Sequence, residues 1–140
     1  MKLTTTEIDT RIQRFRAVCR ERGLPLTPQR SAIYSFLAAT LKHPSAQVIY
    51  ATLKKDFPHL SLATVYKNLE ALEKVDLLRK VVLRDGSARF DADVSPHHHL
   101  INLTTGAVSD FFDAPALPRP TLPRGLTLES ASVHFYVRTA

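Results

Sequence analysis

The N-terminal half of the chain contains four stretches in which apolar residues recur every three or four positions, the spacing of helices that each bury one face. Each stretch follows a hydroxyl residue suited to cap a helix N-terminus, namely Thr4, Thr27, Ser45 and Ser61. The predicted buried positions are Ile8, Ile12, Phe15 and Val18 or Cys19 in the first stretch, Ile33, Phe36 and Leu37 in the second, Val48, Ile49, Leu53 and Phe57 in the third, and Leu62, Val65, Leu69 and Leu72 in the fourth. We expect the third helix to continue to Pro58. We also expect His43, which precedes Pro44, to leave the helical region.

The hydrophobic period changes after the fourth stretch. Residues 77–83 and 88–92 are short β-favouring runs on either side of Arg84–Ser87, whose Asp-Gly pair is typical of a hairpin turn. Helices followed by a two-stranded hairpin is the order of a winged helix, in which the last helix before the hairpin enters the major groove of DNA.

The fourth predicted helix has a polar face that could contact DNA. The residues off its leucine stripe combine hydroxyl, amide, ammonium and aromatic groups, which suit phosphates and base edges. They are Ala63, Thr64, Tyr66, Lys67 and Asn68. The alternative is an ordinary solvated face of a small helical domain.

A cluster of histidines and aspartates follows the hairpin. In an extended strand, His97 and His99 point to one face and His98 to the other. Asp91 and Asp110 could add oxygen ligands, and such a mixed nitrogen and oxygen donor set suits iron, manganese or zinc. The alternative is an exposed polar strand that binds nothing, and we interpret the neighbouring Asp93 as a turn residue.

The remainder of the chain predicts a small β structure. Residues 104–106 favour a turn and 107–111 a returning strand. Residues 114–124 contain four prolines, which favour an extended connection. Residues 126–140 then alternate as a closing strand, with His134 on the face opposite Val133, Phe135 and Val137, where we expect it to meet solvent or an interface.

Charge divides unevenly along the 140 residues, whose net charge is +6. Residues 1–84 hold 15 basic and 7 acidic side chains, a net charge of +8, whereas residues 85–140 hold 4 and 6, a net charge of −2. A basic N-terminal part suggests a polyanionic partner, DNA or RNA. The alternative is a charge that serves only solubility.

Composition excludes several classes of protein. No apolar run approaches the ~20 residues of a membrane span, and the first residues lack the apolar stretch of a signal peptide. The single cysteine, Cys19, can form neither an internal disulfide nor a thiolate zinc cage. We therefore expect a cytoplasmic protein that does not bind membranes.

Five sequence segments together resemble the ferric uptake regulator superfamily in order and spacing. They are residues 23–30, 43–46, 61–69, 89–91 and 97–100 (GLPLTPQR, HPSA, SLATVYKNL, RFD and HHHL), and the resemblance covers about residues 8–111. It implies an α+β protein, with a winged-helix DNA-binding domain over residues 1–87, whose wing extends to about 92. A small α/β, mostly β, dimerisation and metal-sensing domain would cover residues 93–140. It also implies a homodimer on double-stranded DNA with a palindromic AT-rich operator.

The resemblance assigns roles to individual residues. It implies a regulatory metal site for Mn or Fe, with Zn as an ion that purified protein could carry instead. Its ligands would be His43, Asp91, His97, His99 and Asp110. It also makes Tyr66 and Lys67 DNA contacts, with Arg30 as a weaker candidate.

The chain departs from the family pattern where many members hold a structural zinc between two Cys-x-x-Cys pairs. The first pair would fall at Asn102 and Thr105, and the second would begin near Ala140, so we expect no structural zinc. Pro96 and His98 also occupy positions where ligands of a second regulatory metal are common.

These departures resemble the iron response regulator subgroup, in which a triple histidine is associated with haem. His98 is then a candidate haem or second-metal ligand, and the function would be iron- or haem-responsive transcription control. The Cys-Pro haem motif of some members is absent at Cys19. The peroxide-sensing repressor subgroup, with the same five ligand types, is the alternative.

Two further alternatives are a metal-dependent enzyme and an interaction module. We expect no enzyme, because nothing supplies a nucleophile or general base beyond the ligands themselves. An interaction module would bind metal only for storage or dimerisation.

Overall fold

The chain divides into two compact units, Met1–Val94 and Ser95–Ala140, in a computed structural model that describes residues 2–113 and 117–140. The N-terminal unit contains four helices and a two-stranded hairpin, and the C-terminal unit contains a three-stranded sheet. The predicted α+β class and winged-helix order are therefore confirmed. Within the described residues, no helix is both long and apolar enough to span a membrane.

The four helices begin at the predicted caps. They are α1 (Thr5–Arg22), α2 (Pro28–Ala38), α3 (Ala46–Leu53) and α4 (Leu62–Lys74). Thr4 and Glu7 form a reciprocal capping box at the start of α1. Gly23 ends that helix with φ 67, a left-handed conformation that glycine adopts without a steric penalty.

The apolar core lies in the N-terminal unit. The rings of Phe15 and Tyr34 stack with centroids 4.5 Å apart, and Cys19 is buried in the same cluster. Leucines of α2 and α4, the α3 residues Ile49 and Leu53, and Leu77 and Leu78 before the hairpin belong to the same cluster. The buried stripe of α4 that the sequence predicted is therefore confirmed at Val65, Leu69 and Leu72, with Leu62 half-buried.

The third helix is shorter than predicted. It ends at Leu53, and the Leu53 carbonyl accepts the N–H groups of Asp56 and Phe57 in a closing turn. Phe57 packs against the core from this turn. Val48 was expected to be buried but is 50% exposed, because the buried stripe follows Ala46, Ile49 and Leu53 instead.

The predicted hairpin is confirmed. It consists of β1 (Arg79–Val82) and β2 (Ala88–Asp91), paired antiparallel with Arg79 opposite Asp91. The Phe90 N–H donates to the Pro44 carbonyl at 3.0 Å. This bond ties the start of the third-helix segment to β2 and brings His43 beside Asp91.

The C-terminal unit is built on strands β3 (His98–Asn102), β4 (Val108–Phe111) and β5 (His134–Val137) in the order β4-β3-β5. The first pair is antiparallel and the second parallel. Residues 117–133 form no helix or strand, which agrees with the predicted extended connection, whereas Ala114–Ala116 of that prediction lie outside the described residues. Among the described residues, only Ile101 and Val108 are buried apolar side chains of this unit, so it has almost no core of its own.

Candidate metal centre and DNA-binding face

The N-terminal unit holds one buried histidine–aspartate pair. The Nε2 atom of His43 lies 2.9 Å from Oδ2 of Asp91, and the two residues are 2% and 8% exposed. The Nδ1 atom of His43 is 2.9 Å from the Leu41 carbonyl, and Oδ1 of Asp91 accepts the backbone N–H of Asp93. Both side chains are therefore held on their outer sides, and the atoms that face each other are the ones suited to coordinate a metal ion.

The backbone at His43 confirms the sequence prediction. His43 leaves the right-handed helical region before Pro44 and adopts a left-handed conformation with φ 50. A non-glycine residue in this region costs about 1–3 kcal/mol and persists only where its surroundings enforce it. Here the carbonyl of His43 accepts a hydrogen bond from Arg89. The surroundings thus fix the imidazole beside Asp91.

The C-terminal unit holds a second group, made by strand pairing. His99 lies directly opposite Asp110 in the β3–β4 ladder, and His97 lies two residues before His99 on the same face. Asp110 Oδ1 is 2.7 Å from Nε2 of His97 and 3.6 Å from Nε2 of His99. The ligand atoms of these three residues lie within 4.8 Å of one another, and both histidines are buried.

The hydrogen bonds of His43 and His97 decide which ring nitrogen is available. Nδ1 of His43 faces the Leu41 carbonyl, and Nδ1 of His97 lies 2.7 Å from the Ser95 carbonyl. Because a carbonyl only accepts, Nδ1 carries the hydrogen and donates it in both rings. The neutral ring then has a lone pair on Nε2, aimed at a carboxylate oxygen. Two such acceptors attract one another only through a shared proton or a shared cation.

This arrangement fits a divalent metal ion. Metal-binding histidines commonly donate the second ring N–H to a carbonyl, which fixes the tautomer and the ring orientation. Each group contains one carboxylate, Asp91 buried and Asp110 half-buried, and a cation offsets the cost of desolvating that negative charge. The donors are nitrogen and oxygen without thiolate, a set that suits manganese, iron or zinc.

His98 faces away from this group, as its place in the strand predicted. Its Nδ1 accepts the N–H of Val133 at 2.8 Å, and its ring meets Phe135 edge-on. Because Nδ1 accepts, the hydrogen of the neutral ring is on Nε2, which leaves no lone pair there for a metal. In this conformation His98 is poorly suited to the haem or second-metal role that the sequence suggested.

His134 is not fully solvent-exposed, which was one of the two positions predicted for it, and the other, an interface, stays a prediction. It pairs with His99 across the parallel β3–β5 ladder, and the two rings meet edge-on with centroids 5.7 Å apart. Burial, and then the neighbouring His99, lower the pKa of His134. It is half-buried beside a candidate metal ligand rather than in open solvent.

The predicted DNA-binding face of α4 is present in part. Ala63, Tyr66 and Lys67 are exposed. Thr64 is half-buried, and its hydroxyl bonds that of Ser61 at 2.8 Å within the helix cap. The expectation that Asn68 faces outward is wrong: it is 7% exposed, and its amide donates to the Thr64 carbonyl.

Arg30 lies on α2 and is also only partly exposed. Its guanidinium Nη1 donates to the Pro25 carbonyl at 2.6 Å, which ties the side chain to the segment before the helix. This bond engages one end of the guanidinium, so Arg30 is less free to reach a phosphate than Lys67.

Two sequence comparisons, one with a protein family and one with individual proteins, agree with each other. The sequence model of the ferric uptake regulator family matches residues 21–136. The peroxide-responsive repressor PerR of Staphylococcus aureus is 34% identical over 111 residues, which are 79% of this chain and 75% of that protein.

Solved structures share the fold. The Helicobacter pylori ferric uptake regulator, described as having three functional metal-binding sites, aligns with a TM-score of 0.73 over 99% of this chain and 94% of that one, at 20% identity. The Pseudomonas aeruginosa ferric uptake regulator with manganese aligns with a TM-score of 0.65 at 28% identity, over 89% of this chain and 96% of that one.

Proposed function

Because the chain belongs to the ferric uptake regulator family, it is a metal-responsive transcriptional regulator and not an enzyme, and we propose that five of its side chains hold the regulatory ion. These are His43 and Asp91 of the N-terminal unit and His97, His99 and Asp110 of the C-terminal unit. The observation that carries the proposal is the tautomer set by the carbonyls of Leu41 and Ser95, which aims Nε2 of two imidazoles at carboxylates.

The division of the ligands between two units provides the proposed mechanism. Ligands from both units can share one ion only in arrangements that bring both groups to it, so binding shifts the population toward those arrangements. Asp91 and Asp110 would supply negatively charged oxygen ligands. His43, His97 and His99 would supply nitrogen ligands, whose directions fix how the ion is held. In the absence of the ion the two units are released from this constraint.

We propose that the N-terminal unit binds double-stranded DNA through α4. Ala63, Tyr66 and Lys67 are the exposed residues near its N-terminal end, where the helix dipole favours phosphate. The unit also carries the positive charge of the chain. Counted over Met1–Val94 it has 16 basic and 10 acidic side chains, a net charge of +6, whereas Ser95–Ala140 has three of each and is neutral.

We propose that the protein acts as a homodimer through its C-terminal unit. A unit of 46 residues with two buried apolar side chains among those described has little core to stabilise it alone. Strand β5 lies at one edge of the sheet, and Leu126 and Leu128, in the segment before it, are exposed, as is Phe112 directly after β4. Strand pairing and apolar burial between two copies would stabilise both.

We propose that this dimer needs no structural zinc. Where the family pattern places the first cysteine pair, Asn102 Oδ1 accepts the N–H groups of Thr104 and Thr105, and its amide donates to Thr139. Thr139 in turn donates its N–H to the Thr104 hydroxyl. These bonds join the β3–β4 turn to the segment after β5 without a metal.

For the signal, we propose peroxide, sensed through iron. The named relative with 34% identity is peroxide-responsive, and the ligand types are those that the peroxide-sensing resemblance implied. If bound there, ferrous iron would supply one electron to hydrogen peroxide, giving ferric iron, hydroxide and a hydroxyl radical. Addition of that radical to an adjacent imidazole, followed by loss of one electron to the ferric ion and of one proton, would leave one oxygen atom on the ring. We expect that oxidation at His43 and His97, whose buried rings are each held by a backbone carbonyl.

An iron- or haem-responsive role in iron homeostasis, as in the iron response regulator subgroup, is the second candidate. The run of three histidines and the absence of cysteine beyond Cys19 favour it. The hydrogen bond from the Val133 N–H to Nδ1 of His98 counts against it. If Nε2 ligated haem, the ring hydrogen would move to Nδ1, and Nδ1 could no longer accept that bond.

One experiment tests the proposed signal. Untagged protein purified without chelators is analysed for metal content and absorption, then loaded with Fe²⁺ or Mn²⁺ and treated with hydrogen peroxide. We expect one added oxygen atom on His43 or His97 in the peptide mass spectrum of the Fe²⁺ form, none in the Mn²⁺ form, and no tight haem complex. A Soret band that His98→Ala abolishes, with no oxidation of either histidine, would instead support the haem-responsive function.

A further inference from the structure

The exposed tyrosine of α4 is hydrogen-bonded to the neighbouring helix. Nε2 of Gln47, near the start of α3, donates to the phenol oxygen of Tyr66 at 3.2 Å. Both side chains lie on the surface, and the Tyr66 side chain is 40% exposed. This bond links the outer surfaces of the two helices.

The backbone at both ends of this bond is well anchored. Gln47 lies between Ser45, whose hydroxyl caps α3, and Ile49, which is fully buried. Tyr66 follows Val65, which is also fully buried. The two Cα atoms are therefore fixed by the core, and the hydrogen bond selects one orientation for a ring that solvent exposure would otherwise leave free to turn.

The direction of the bond also fixes what the phenol can offer to a ligand. A tyrosine hydroxyl has one hydrogen to donate and two lone pairs that accept. Gln47 occupies an acceptor site, and the hydroxyl hydrogen is not used within residues 2–113 or 117–140. Tyr66 is thus prepared as a donor, and it matches an acceptor on DNA, either a phosphate oxygen or a base-edge atom.

We propose that Gln47 is a positioning residue for DNA recognition, which orients the Tyr66 ring and leaves its hydroxyl hydrogen for an acceptor on DNA. The inference rests on the proposed DNA-binding function and adds to it a residue outside α4. Gln47 acts through Tyr66 and not through a contact of its own. Fixing the ring before binding lowers the entropy lost when the complex forms.

A double-mutant cycle tests this inference. Wild type, Gln47→Met, Tyr66→Phe and the double variant are compared in metal-loaded form for binding to a duplex that the wild-type chain has selected from a randomised library. Methionine keeps the length of the side chain but cannot donate, and phenylalanine keeps the ring but lacks the hydroxyl. Thr52→Ala on the same helix is the matched control, because the Thr52 hydroxyl bonds only the Val48 carbonyl of its own helix.

We expect Gln47→Met to weaken binding about fivefold, the value of one hydrogen bond, and to cause no further loss in the Tyr66→Phe background. The slope of log Kd against log salt should not change, because no phosphate-neutralising cation is removed. If the hydroxyl donates to a base edge, Tyr66→Phe will relax base preference at one operator position. If it donates to a phosphate, the affinity loss will be equal across sequences.

Three outcomes would overturn the inference. The first is an unchanged DNA affinity of Gln47→Met. The second is an equal loss of affinity when Gln47→Met is added to wild type and to Tyr66→Phe, which indicates a direct contact between Gln47 and DNA. The third is a changed slope of log Kd against log salt, which indicates a distorted α4. Circular dichroism melts of the four proteins show whether a loss arises from unfolding. Failure of the wild-type chain to select any duplex would overturn the DNA-binding function itself, together with this inference.

Discussion

His97 and His98 are neighbours in the chain, yet their rings are held in opposite tautomers. The Nδ1 atom of His97 donates to the Ser95 carbonyl, whereas Nδ1 of His98 accepts the Val133 N–H. The neutral His97 ring therefore presents a lone pair on Nε2, 2.7 Å from Asp110, and the neutral His98 ring presents a hydrogen there. One strand thus carries a residue suited to bind metal beside a residue that is not.

The first prediction concerns metal affinity. His97→Ala should weaken Mn²⁺ binding at least tenfold, because it removes a nitrogen ligand and the side chain nearest to Asp110 Oδ1. His98→Ala, one position away, should change the affinity less than threefold. Isothermal titration of both variants checks this, and equal losses would contradict the assignment of the binding face.

The second prediction concerns salt dependence. Lys67→Ala should reduce the slope of log Kd against log salt by about two for a dimer on its operator, since one phosphate contact is lost by each of the two copies. Lys74→Ala is the matched control, because Lys74 is exposed in the last turn of the same helix, at the end away from the proposed interface. Equal changes in both variants would indicate a diffuse charge effect instead of a contact by α4.

The third prediction concerns the single cysteine. Cys19 is 1% exposed, and burial raises the pKa of its thiol, so very little reactive thiolate is present near neutral pH. We expect alkylation by iodoacetamide to be slow in the folded protein and complete in denaturant, as read by mass spectrometry. Rapid alkylation of the folded chain would show that the thiol is accessible and would contradict its burial in the core.

The fourth prediction concerns acid stability. The backbone N–H of Thr4, and then its side chain, lower the pKa of Glu7. Because the pKa is lower in the folded state, the ionised Glu7 adds stability above its unfolded pKa, and this stability is lost as pH falls through the folded pKa. Glu7→Gln should lower the free energy of unfolding slightly at neutral pH and not at all in strong acid. Urea titrations at the two pH values check it, with exposed Glu21→Gln as the control.

The fifth prediction concerns the hydrogen bonds at the expected zinc position. Thr139→Val removes the hydroxyl that accepts from Asn102 and should destabilise the C-terminal unit by about 0.5–1 kcal/mol, whereas Thr127→Val on the exposed connection should not. Hydrogen exchange of β3 and β5 amides measures the difference. Addition of a zinc chelator to His97→Ala, which lacks a ligand of the proposed regulatory site, should leave that exchange unchanged, and a large increase would indicate a structural zinc.

Local features of the sequence were sufficient for much of the fold. The capping box of Thr4 and Glu7, and the glycine at position 23, set both ends of α1 without help from distant residues. The third helix was predicted too long because Phe57 keeps the apolar spacing. It reaches the core from a turn, and spacing alone cannot distinguish a turn from a further helical residue.

The candidate metal groups differ in how far sequence can predict them. Strand alternation is local, so it correctly placed His97 and His99 on one face. His43 and Asp91 are 48 positions apart, and within the sequence only the family resemblance links them. In the structure, the Phe90–Pro44 hydrogen bond brings their chain segments together. The tautomers of all these rings depend on backbone carbonyls that no residue pattern specifies.

The charge count also changes meaning once the structure is known. Arg11 donates to the Ala38 carbonyl at the end of α2, and Arg14 donates to the Asp76 carbonyl just beyond α4. Both arginines add to the positive charge that suggested a polyanionic partner, yet each satisfies a backbone acceptor at a helix end. The link between Gln47 and Tyr66 had no counterpart in the sequence, because contacts between two polar surface residues leave no periodic signal.

The most direct test of the account is metal-dependent DNA binding by wild type and His97→Ala. Fluorescence anisotropy with a selected duplex is measured in Mn²⁺ and again after addition of a chelator. We predict that Mn²⁺ changes the affinity of the wild type at least tenfold, and that the affinity of His97→Ala is the same in both conditions. Equal affinity of the wild type with and without metal, matched by His97→Ala, would contradict the claim that this histidine–aspartate site controls DNA binding.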